Sequence, residues 1–134
     1  MSAEANIETV KSMYAAFGRG DSETILAAVT DDVDWGVVAE ETGAPWYGIR
    51  HGKAEVAAFF ADFGSAVAVE VFEPRSFAAN GSEVFAKVYI AGKTIDGGQS
   101  IEMDLLHYFR FRDDQVEYYR GSEDTAQMVR ALQD

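Results

Sequence analysis

The chain has 134 residues, 48% of them hydrophobic and 25% charged, a balance typical of one folded domain over residues 1–134 and not of a disordered chain. Its formal net charge of −12 would repel phosphate backbones and anionic lipids, so we expect no nucleic-acid partner and no membrane partner. The absence of cysteine excludes disulfides, thiolate nucleophiles and cysteine-ligated metals. The first residues lack a signal-peptide pattern and no apolar run approaches the roughly 20 residues of a membrane span, so we expect a cytoplasmic protein.

The beginning of the chain predicts a pair of helices. The first helix ends at residues 18–20, where glycine can adopt the left-handed conformation, and its apolar positions recur at helical spacing: Ile7, Val10, Tyr14 and Phe17. Asp21 or Ser22 can cap a shorter second helix, which extends through Val29 and ends near residues 30–32. We expect these two helices to form a hairpin.

The next part of the chain predicts a loop and a third helix. Residues 33–50 combine one short apolar piece with breakers and aromatic residues, which indicates a long loop with a brief strand. Residues 53–63 follow as a third helix, with an apolar face formed by Val56, Phe59, Phe60 and Phe63.

The second half of the chain predicts an antiparallel meander and a last helix. Short turn signals at Asn80-Gly81, at residues 96–98 and at Asp113-Asp114 separate four strand-like runs: Val67–Ala78, Ser82–Ile95, Ser100–Arg112 and Gln115–Arg120. Residues 123–132 predict a short terminal helix. Helices followed by a meander are typical of an α+β domain in which the helices cover one face of a curved sheet and leave a cavity beneath them.

One strand carries an unexpected polar residue on its apolar face. Alternation places six side chains on the same buried face: Ile101, Met103, Leu105, His107, Phe109 and Phe111. The neighbouring strand should contribute Val84, Ala86, Val88 and Ile90 to that face. An imidazole among hydrocarbon side chains makes His107 the first candidate for a functional group.

Four segments, in this order of elements, are similar to a known family: Tyr14–Asp21, Thr30–Trp35, Gly52–Phe60 and Tyr108–Asp114. The chain resembles the nuclear-transport-factor-2-like (NTF2-like) superfamily over nearly its whole length, and within it the SnoaL-like and ketosteroid-isomerase-like group. The resemblance implies an NTF2-like cone-shaped barrel of the α+β class, with three N-terminal helices packed on a curved, mostly antiparallel sheet and a short C-terminal helix. It also implies a deep hydrophobic pocket and a homodimer.

The resemblance carries over unevenly at the catalytic positions. Ketosteroid isomerases hold a carboxylate base after the second helix, and the aligned residue here is Val37. Their oxyanion-stabilising acid aligns with His107, while their tyrosine donor aligns with Met13, one residue before Tyr14. SnoaL-type polyketide cyclases use a pocket histidine and aspartate as acid and base, a pattern that His107 with another acidic residue could reproduce.

The two histidines of the chain have different interpretations. His107 is either a general acid or base, because an ordinary histidine pKa near 6.5 allows proton exchange around neutrality, or a buried histidine satisfied by a neighbouring carbonyl or hydroxyl. His51 stands beside Gly52 before the third helix and is interpreted as an exposed or capping residue.

Three charged residues are candidates to act with His107, and each has a structural alternative. Asp104 points away from the cavity if successive side chains of the strand alternate strictly between its two faces. A bulge would turn the Asp104 side chain toward the cavity instead. Asp34 lies near the expected mouth and either partners His107 or follows a helix end. Arg120 and Tyr118 lie on the same face of their predicted strand. If that face turns inward, the Arg120 guanidinium would bind a carboxylate or an enolate-like oxygen; otherwise Arg120 forms an ion pair.

The remaining candidates are substrate-binding side chains. Aromatic residues could line a pocket for a flat organic ligand, and the neighbours of His107 share its face. The full set of predicted substrate-binding residues is Tyr14, Trp35, Val37, Trp46, Tyr47, Met103, Leu105, Phe109 and Tyr118.

The leading hypothesis is a cofactor-independent isomerase, cyclase or hydrolase acting on a small hydrophobic carbonyl or epoxide. In this hypothesis His107 transfers a proton, Asp34 or Asp104 orients the imidazole, and Arg120 stabilises developing negative charge. We expect neither a cofactor nor a metal. The alternatives are a binding protein for an apolar small molecule and a structural partner. A homodimer would use the outer face of the sheet, predicted to carry Phe72, Phe85, Tyr89 and Tyr108.

Overall fold

The structure is a computed structural model that describes residues 2–40 and 43–133. Its elements in chain order are α1 Ala3–Gly18, α2 Ser22–Ala27, β1 Val29–Val37, β2 Gly48–His51, α3 Gly52–Ala66, β3 Val67–Asn80, β4 Glu83–Thr94, β5 Ser100–Arg112, β6 Gln115–Ser122 and α4 Thr125–Leu132. The six strands form one curved sheet in the order β2-β1-β6-β5-β4-β3. Only β1 and β6 are parallel among the described strand pairs, which confirms the predicted α+β class with a mostly antiparallel sheet.

The first two helices each begin with a side-chain N-cap, and the cap of the second is Asp21, one of the two residues that the sequence offers for it. Ser2 accepts a hydrogen bond from the Ala5 N–H at 3.0 Å, and Asp21 accepts one from the Thr24 N–H at 3.1 Å. The predicted extension of the second helix to residues 30–32 is wrong. α2 ends at Ala27, and Val29 begins a strand instead.

The strand β1 is also longer than the brief strand predicted within residues 33–50. It pairs with β2 on one side and in parallel with β6 on the other, with Val29 opposite Val116 and Val37 opposite Gly121. Parallel pairing with a segment some 85 positions away leaves no local pattern in the sequence, which is why this strand was predicted too short. Residues 41–42 of the predicted loop lie outside the described residues.

The meander agrees with the predicted alternation. β4 and β5 pair so that Ala86 lies opposite His107 and Val84 opposite Phe109, with both valine and phenylalanine fully buried. The inner face of β4 is buried as expected. The helices cover this concave side, because α1 packs on β3 and β4 while α3 packs on β1 and β2.

Three β-bulges change which side chains reach the inner face. In β3, Glu70 and Arg75 each stand as an extra residue opposite β4, so Phe72 turns inward and its ring contacts Phe17 at 4.8 Å between ring centroids. The predicted outer-face position of Phe72 is therefore wrong. In β6 the extra residue is Glu117. After it, the side chains that strict alternation would place on the inner face of the sheet lie on the outer face, and the reverse.

We predict that Gly92→Ala destabilises the fold by about 2 kcal/mol, because Gly92 faces the first bulge of β3 and an added Cβ would overlap the Ala68 carbonyl oxygen. Gly64→Ala is the matched control, since Gly64 lies in α3 with open space around its Cα, and it should stabilise by roughly 0.5 kcal/mol. Urea unfolding measures both. Equal stabilities for the two variants would contradict the close approach at Gly92.

Candidate functional site

A small apolar cavity of about 90 Å³ lies between the concave face of the sheet and the helices. Seven of the predicted site residues line it: Tyr14, Trp35, Val37, Trp46, Leu105, His107 and Phe109. Three residues that sequence reasoning did not select, Tyr119, Ser122 and Glu123, add polar side chains to the wall. The cavity therefore presents few polar groups within a largely hydrocarbon surface, which is the usual character of a small-molecule site.

His107 is held on the cavity wall by Tyr14. The Tyr14 hydroxyl and the His107 Nδ1 are 2.7 Å apart, joining α1 to β5. Either atom donates, depending on the imidazole tautomer, and Nε2 remains for a ligand. Burial lowers the pKa of His107 from 6.5 to about 4, so the ring is neutral at pH 7, whereas the sequence alone suggested proton exchange near neutrality. Burial also raises the pKa of Tyr14.

Tyr119 is the inward-facing aromatic residue of β6. It stacks on Trp35 with 4.0 Å between ring centroids, and its ring lies 5.2 Å from that of His107. Burial, together with the charges of Tyr14 and Glu123, raises the pKa of Tyr119 well above 10, so it stays a hydroxyl. A Cβ at Gly121 would come within 2.5 Å of the Tyr119 hydroxyl oxygen, so glycine is needed there. This glycine within a strand was the signal that could have indicated a close approach.

Glu123 is the one carboxyl group on the cavity wall among the described residues. It accepts hydrogen bonds from the Tyr47 hydroxyl at 2.8 Å and from the Trp46 indole N–H at 3.4 Å. Burial raises the pKa of Glu123, and these two hydrogen bonds partly oppose the shift. The sequence placed Glu123 inside the last helix, but Asp124 caps α4, which leaves Glu123 beside the cavity.

Asp34 and Arg120 lie on the opposite face of the sheet, which corrects both predictions. The bulge at Glu117 turns Arg120 and Tyr118 outward, and β1 likewise presents Asp34 away from the cavity. Arg120 and Asp34 form an ion pair at 2.8 Å, and the Arg120 guanidinium stacks over the Tyr118 ring. These three residues therefore form a cluster on the outer face that does not contact a ligand in the cavity.

The remaining predicted residues also lie outside the cavity wall. Asp104 faces outward, half exposed, and pairs with Lys87 at 3.7 Å, so it does not orient His107. Met103 is buried on the inner face without lining the cavity, and Tyr47 stands behind the wall, where its hydroxyl donates to Glu123 and its ring packs against Trp46. His51 is exposed at the start of α3, as the sequence indicated.

The cavity wall carries no cation within residues 2–40 and 43–133, since neither lysine nor arginine lines it. The same residues hold no cluster of three or more histidine, aspartate or glutamate side chains able to bind a metal ion. Nor does this part of the chain contain a helix long and apolar enough to cross a membrane. The polar groups at the cavity are thus a neutral imidazole, hydroxyls and one carboxyl.

Comparison with known proteins gives the family. The sequence model of the SnoaL-like domain matches residues 10–119. An NTF2-like protein from Burkholderia xenovorans is 30% identical over 98% of each chain, with a TM-score of 0.88, and an NTF2-like protein of unknown function from Burkholderia pseudomallei is 27% identical over 100% of each, with a TM-score of 0.90.

A more distant structure, a candidate polyketide cyclase from Xanthomonas campestris pv. campestris, has 20% identity over 97% of this chain and 98% of its own, with a TM-score of 0.79. No protein with curated annotation matches. The match over most of the chain and the shared architecture agree with the resemblance drawn from the sequence. The chain belongs to the SnoaL-like domain family and has the NTF2-like fold.

Proposed function

We propose that the protein is a cofactor-independent acid–base enzyme acting next to a carbonyl group of a small hydrophobic metabolite. The observation that carries this proposal is the meeting of a neutral donor pair and one carboxyl group on the wall of a single apolar cavity. Tyr14 and His107 form the pair, and Glu123 supplies the carboxyl. The roles that the sequence suggested for Asp34, Asp104 and Arg120 are not part of it.

The donor pair suits a developing oxyanion. When Tyr14 donates to Nδ1, the imidazole presents its Nε2–H; when Nδ1 donates, the Tyr14 hydroxyl hydrogen is free. One N–H or O–H is therefore available in either arrangement. Such donors are most effective in a water-poor site, where they are fixed before the reaction begins. Trp35 also lines the cavity, and its buried indole N–H has no hydrogen-bond partner among the described residues.

Glu123 suits the base. Its carboxylate would take a proton from the carbon next to the substrate carbonyl, forming a C=C bond as the carbonyl π electrons move to oxygen. The donor pair would stabilise that enolate oxygen. Return of the proton from Glu123 to the same or another carbon would complete an exchange or an isomerisation. The raised pKa of Glu123 brings the base closer to neutral pH, as general-base catalysis requires.

The first prediction for this function concerns exchange of carbon-bound protons. The protein in D2O should accelerate deuterium incorporation into butanone next to its carbonyl, measured by NMR. Glu123→Gln should lower the rate by about 10²–10⁴-fold, since it removes the base, and His107→Phe by about 10²-fold, since it removes an oxyanion donor. Asp104→Asn is the control and should exchange at the wild-type rate. Exchange no faster than in buffer, with butanone bound, would instead identify a binding protein.

The second prediction concerns pH. Because the base must be ionised and its pKa is raised above 4.5, the exchange rate should increase as pH rises through that raised value. Because burial lowers the pKa of His107 to about 4, the imidazole should contribute no inflection near pH 6.5. An inflection at 6.5 that disappears in His107→Phe would show that the imidazole becomes charged during turnover, against this assignment.

We also propose that two copies associate through the outer face of the sheet. Phe85 of β4 and Leu106 of β5 expose 45% and 60% of their surface there, and the Phe85 ring packs against Tyr108 with 5.2 Å between centroids. Adjacent exposed apolar residues on a sheet face are typical of an isologous dimer contact.

Light scattering coupled to size exclusion should therefore give twice the chain mass for the wild type and the chain mass for Leu106→Glu, because a buried unpaired carboxylate opposes association. Ile95→Glu, at a similarly exposed apolar residue in the β4–β5 turn, is the control and should remain dimeric. A wild-type monomer at micromolar concentration would contradict the dimer.

A further inference from the structure

The cavity is too small to hold most hydrophobic metabolites by itself. Its 90 Å³ is about three times the volume of one water molecule in the liquid and less than the roughly 150 Å³ cavity that accommodates benzene. Sites for drug-sized ligands measure roughly 300–1,000 Å³. A ligand larger than a few heavy atoms must therefore extend beyond the cavity wall.

An open groove of about 600 Å³ adjoins the cavity on the outside. It runs between the end of α1, α2, α3 and β3. The cavity and the groove share five lining residues, which separate the two spaces: Phe17, Ile25, Phe60, Phe63 and Phe72. Four of the five are phenylalanines, and we call these the aromatic wall. The two volumes together fall within the range of an ordinary ligand site.

The aromatic wall is more exposed than the buried side chains that line the rest of the cavity. All four of its phenylalanines are partly exposed, and Phe17 contacts the other three at centroid distances of 4.8 to 6.1 Å. By contrast, Trp46, which packs edge-on against Phe63 with 4.9 Å between ring centroids, is only 1% exposed and is held by Glu123. Rotating a partly exposed ring disturbs fewer contacts than displacing a buried one, so the wall is the easier side to open.

The charges along this route favour a neutral ligand. Among the described residues, the groove lining has two charged side chains, Asp21 and Glu70, and Asp21 already pairs with Arg19 at 3.1 Å. Within the part of the chain that the structure describes, no lysine or arginine lines the groove or the cavity. A ligand carboxylate would have no cation to bind and would meet acidic side chains and a strongly negative protein.

We infer that the substrate is a neutral, elongated, apolar carbonyl compound, whose polar head lies at His107 and whose hydrocarbon tail passes through the aromatic wall into the groove. This inference rests on the proposed function for the position of the head. The tail's site depends only on the groove adjoining the cavity across the aromatic wall.

Isothermal titration calorimetry with butanone and methyl nonyl ketone tests this site. The wild type should bind the long ketone far more tightly, since each buried methylene contributes roughly a factor of four in affinity. Ala61→Trp, at an exposed residue of α3 that lines the groove, should weaken the long ketone at least tenfold and leave butanone unchanged within twofold. Ala58→Trp is the matched control on the same helix, exposed and outside the groove, and should leave both affinities unchanged.

Three results would overturn the inference. They are equal affinity of the wild type for the two ketones, no effect of Ala61→Trp on the long ketone, and binding of decanoate as tight as that of methyl nonyl ketone. Failure of the proposed function is separate, because proton exchange can be absent while the chain-length dependence and the Ala61→Trp effect remain. Conversely, if deuterium exchange into butanone is accelerated but Ala61→Trp does not weaken binding of the long ketone, the proposed function stands and the tail site is rejected.

Discussion

The hydrogen bond between Tyr14 and His107 is the interaction on which the site depends. It joins the first helix to the third strand of the meander, 93 positions away, at the point where both face the cavity. An imidazole left unpaired in this apolar setting would cost about 1–3 kcal/mol, so helix and sheet are bound to one relative position by a polar contact in an otherwise hydrocarbon interface. The same contact fixes the ring and leaves Nε2 toward the cavity. One pair of side chains therefore determines both how the first helix sits on the sheet and how the imidazole is oriented at the cavity.

The inner face of the sheet depends equally on the bulges that interrupt its alternation. If β6 alternated strictly through Glu117 instead of forming a bulge there, Arg120 would face the cavity where Tyr119 now lies. The bulge instead places an aromatic hydroxyl inside and the guanidinium outside, where it reaches Asp34. A single bulge thereby determines that an aromatic hydroxyl, and not a guanidinium, faces the cavity. The bulges in β3 act in the same way, because they bring Phe72 into the aromatic wall.

These features also explain what the sequence could and could not predict. The cap of the second helix, the turns of the meander and the inward face of β5 with His107 follow from local patterns, and the order of elements together with four short segments pointed to the superfamily. The length of β1 did not follow, because its parallel partner is remote in sequence. Strict alternation misplaced Tyr118, Arg120 and Phe72, since a bulge depends on the pairing of two strands and not on either one alone. Glu123 was missed because a single helix cap decides whether it belongs to α4 or to the cavity.

Burial shifts the two titratable groups of the proposed mechanism in opposite directions. It lowers the pKa of His107 and raises that of Glu123, because in each case the apolar surroundings disfavour the charged form. The two groups therefore do not form an imidazolium–carboxylate pair near pH 7: the histidine remains a neutral hydrogen-bond donor, and the glutamate is the group that would take up the substrate proton. The hydrogen bonds from Tyr47 and Trp46 limit the shift at Glu123, so that the carboxylate is still accessible as a base. In this arrangement the division of roles comes from desolvation, with no need for a cation in the cavity.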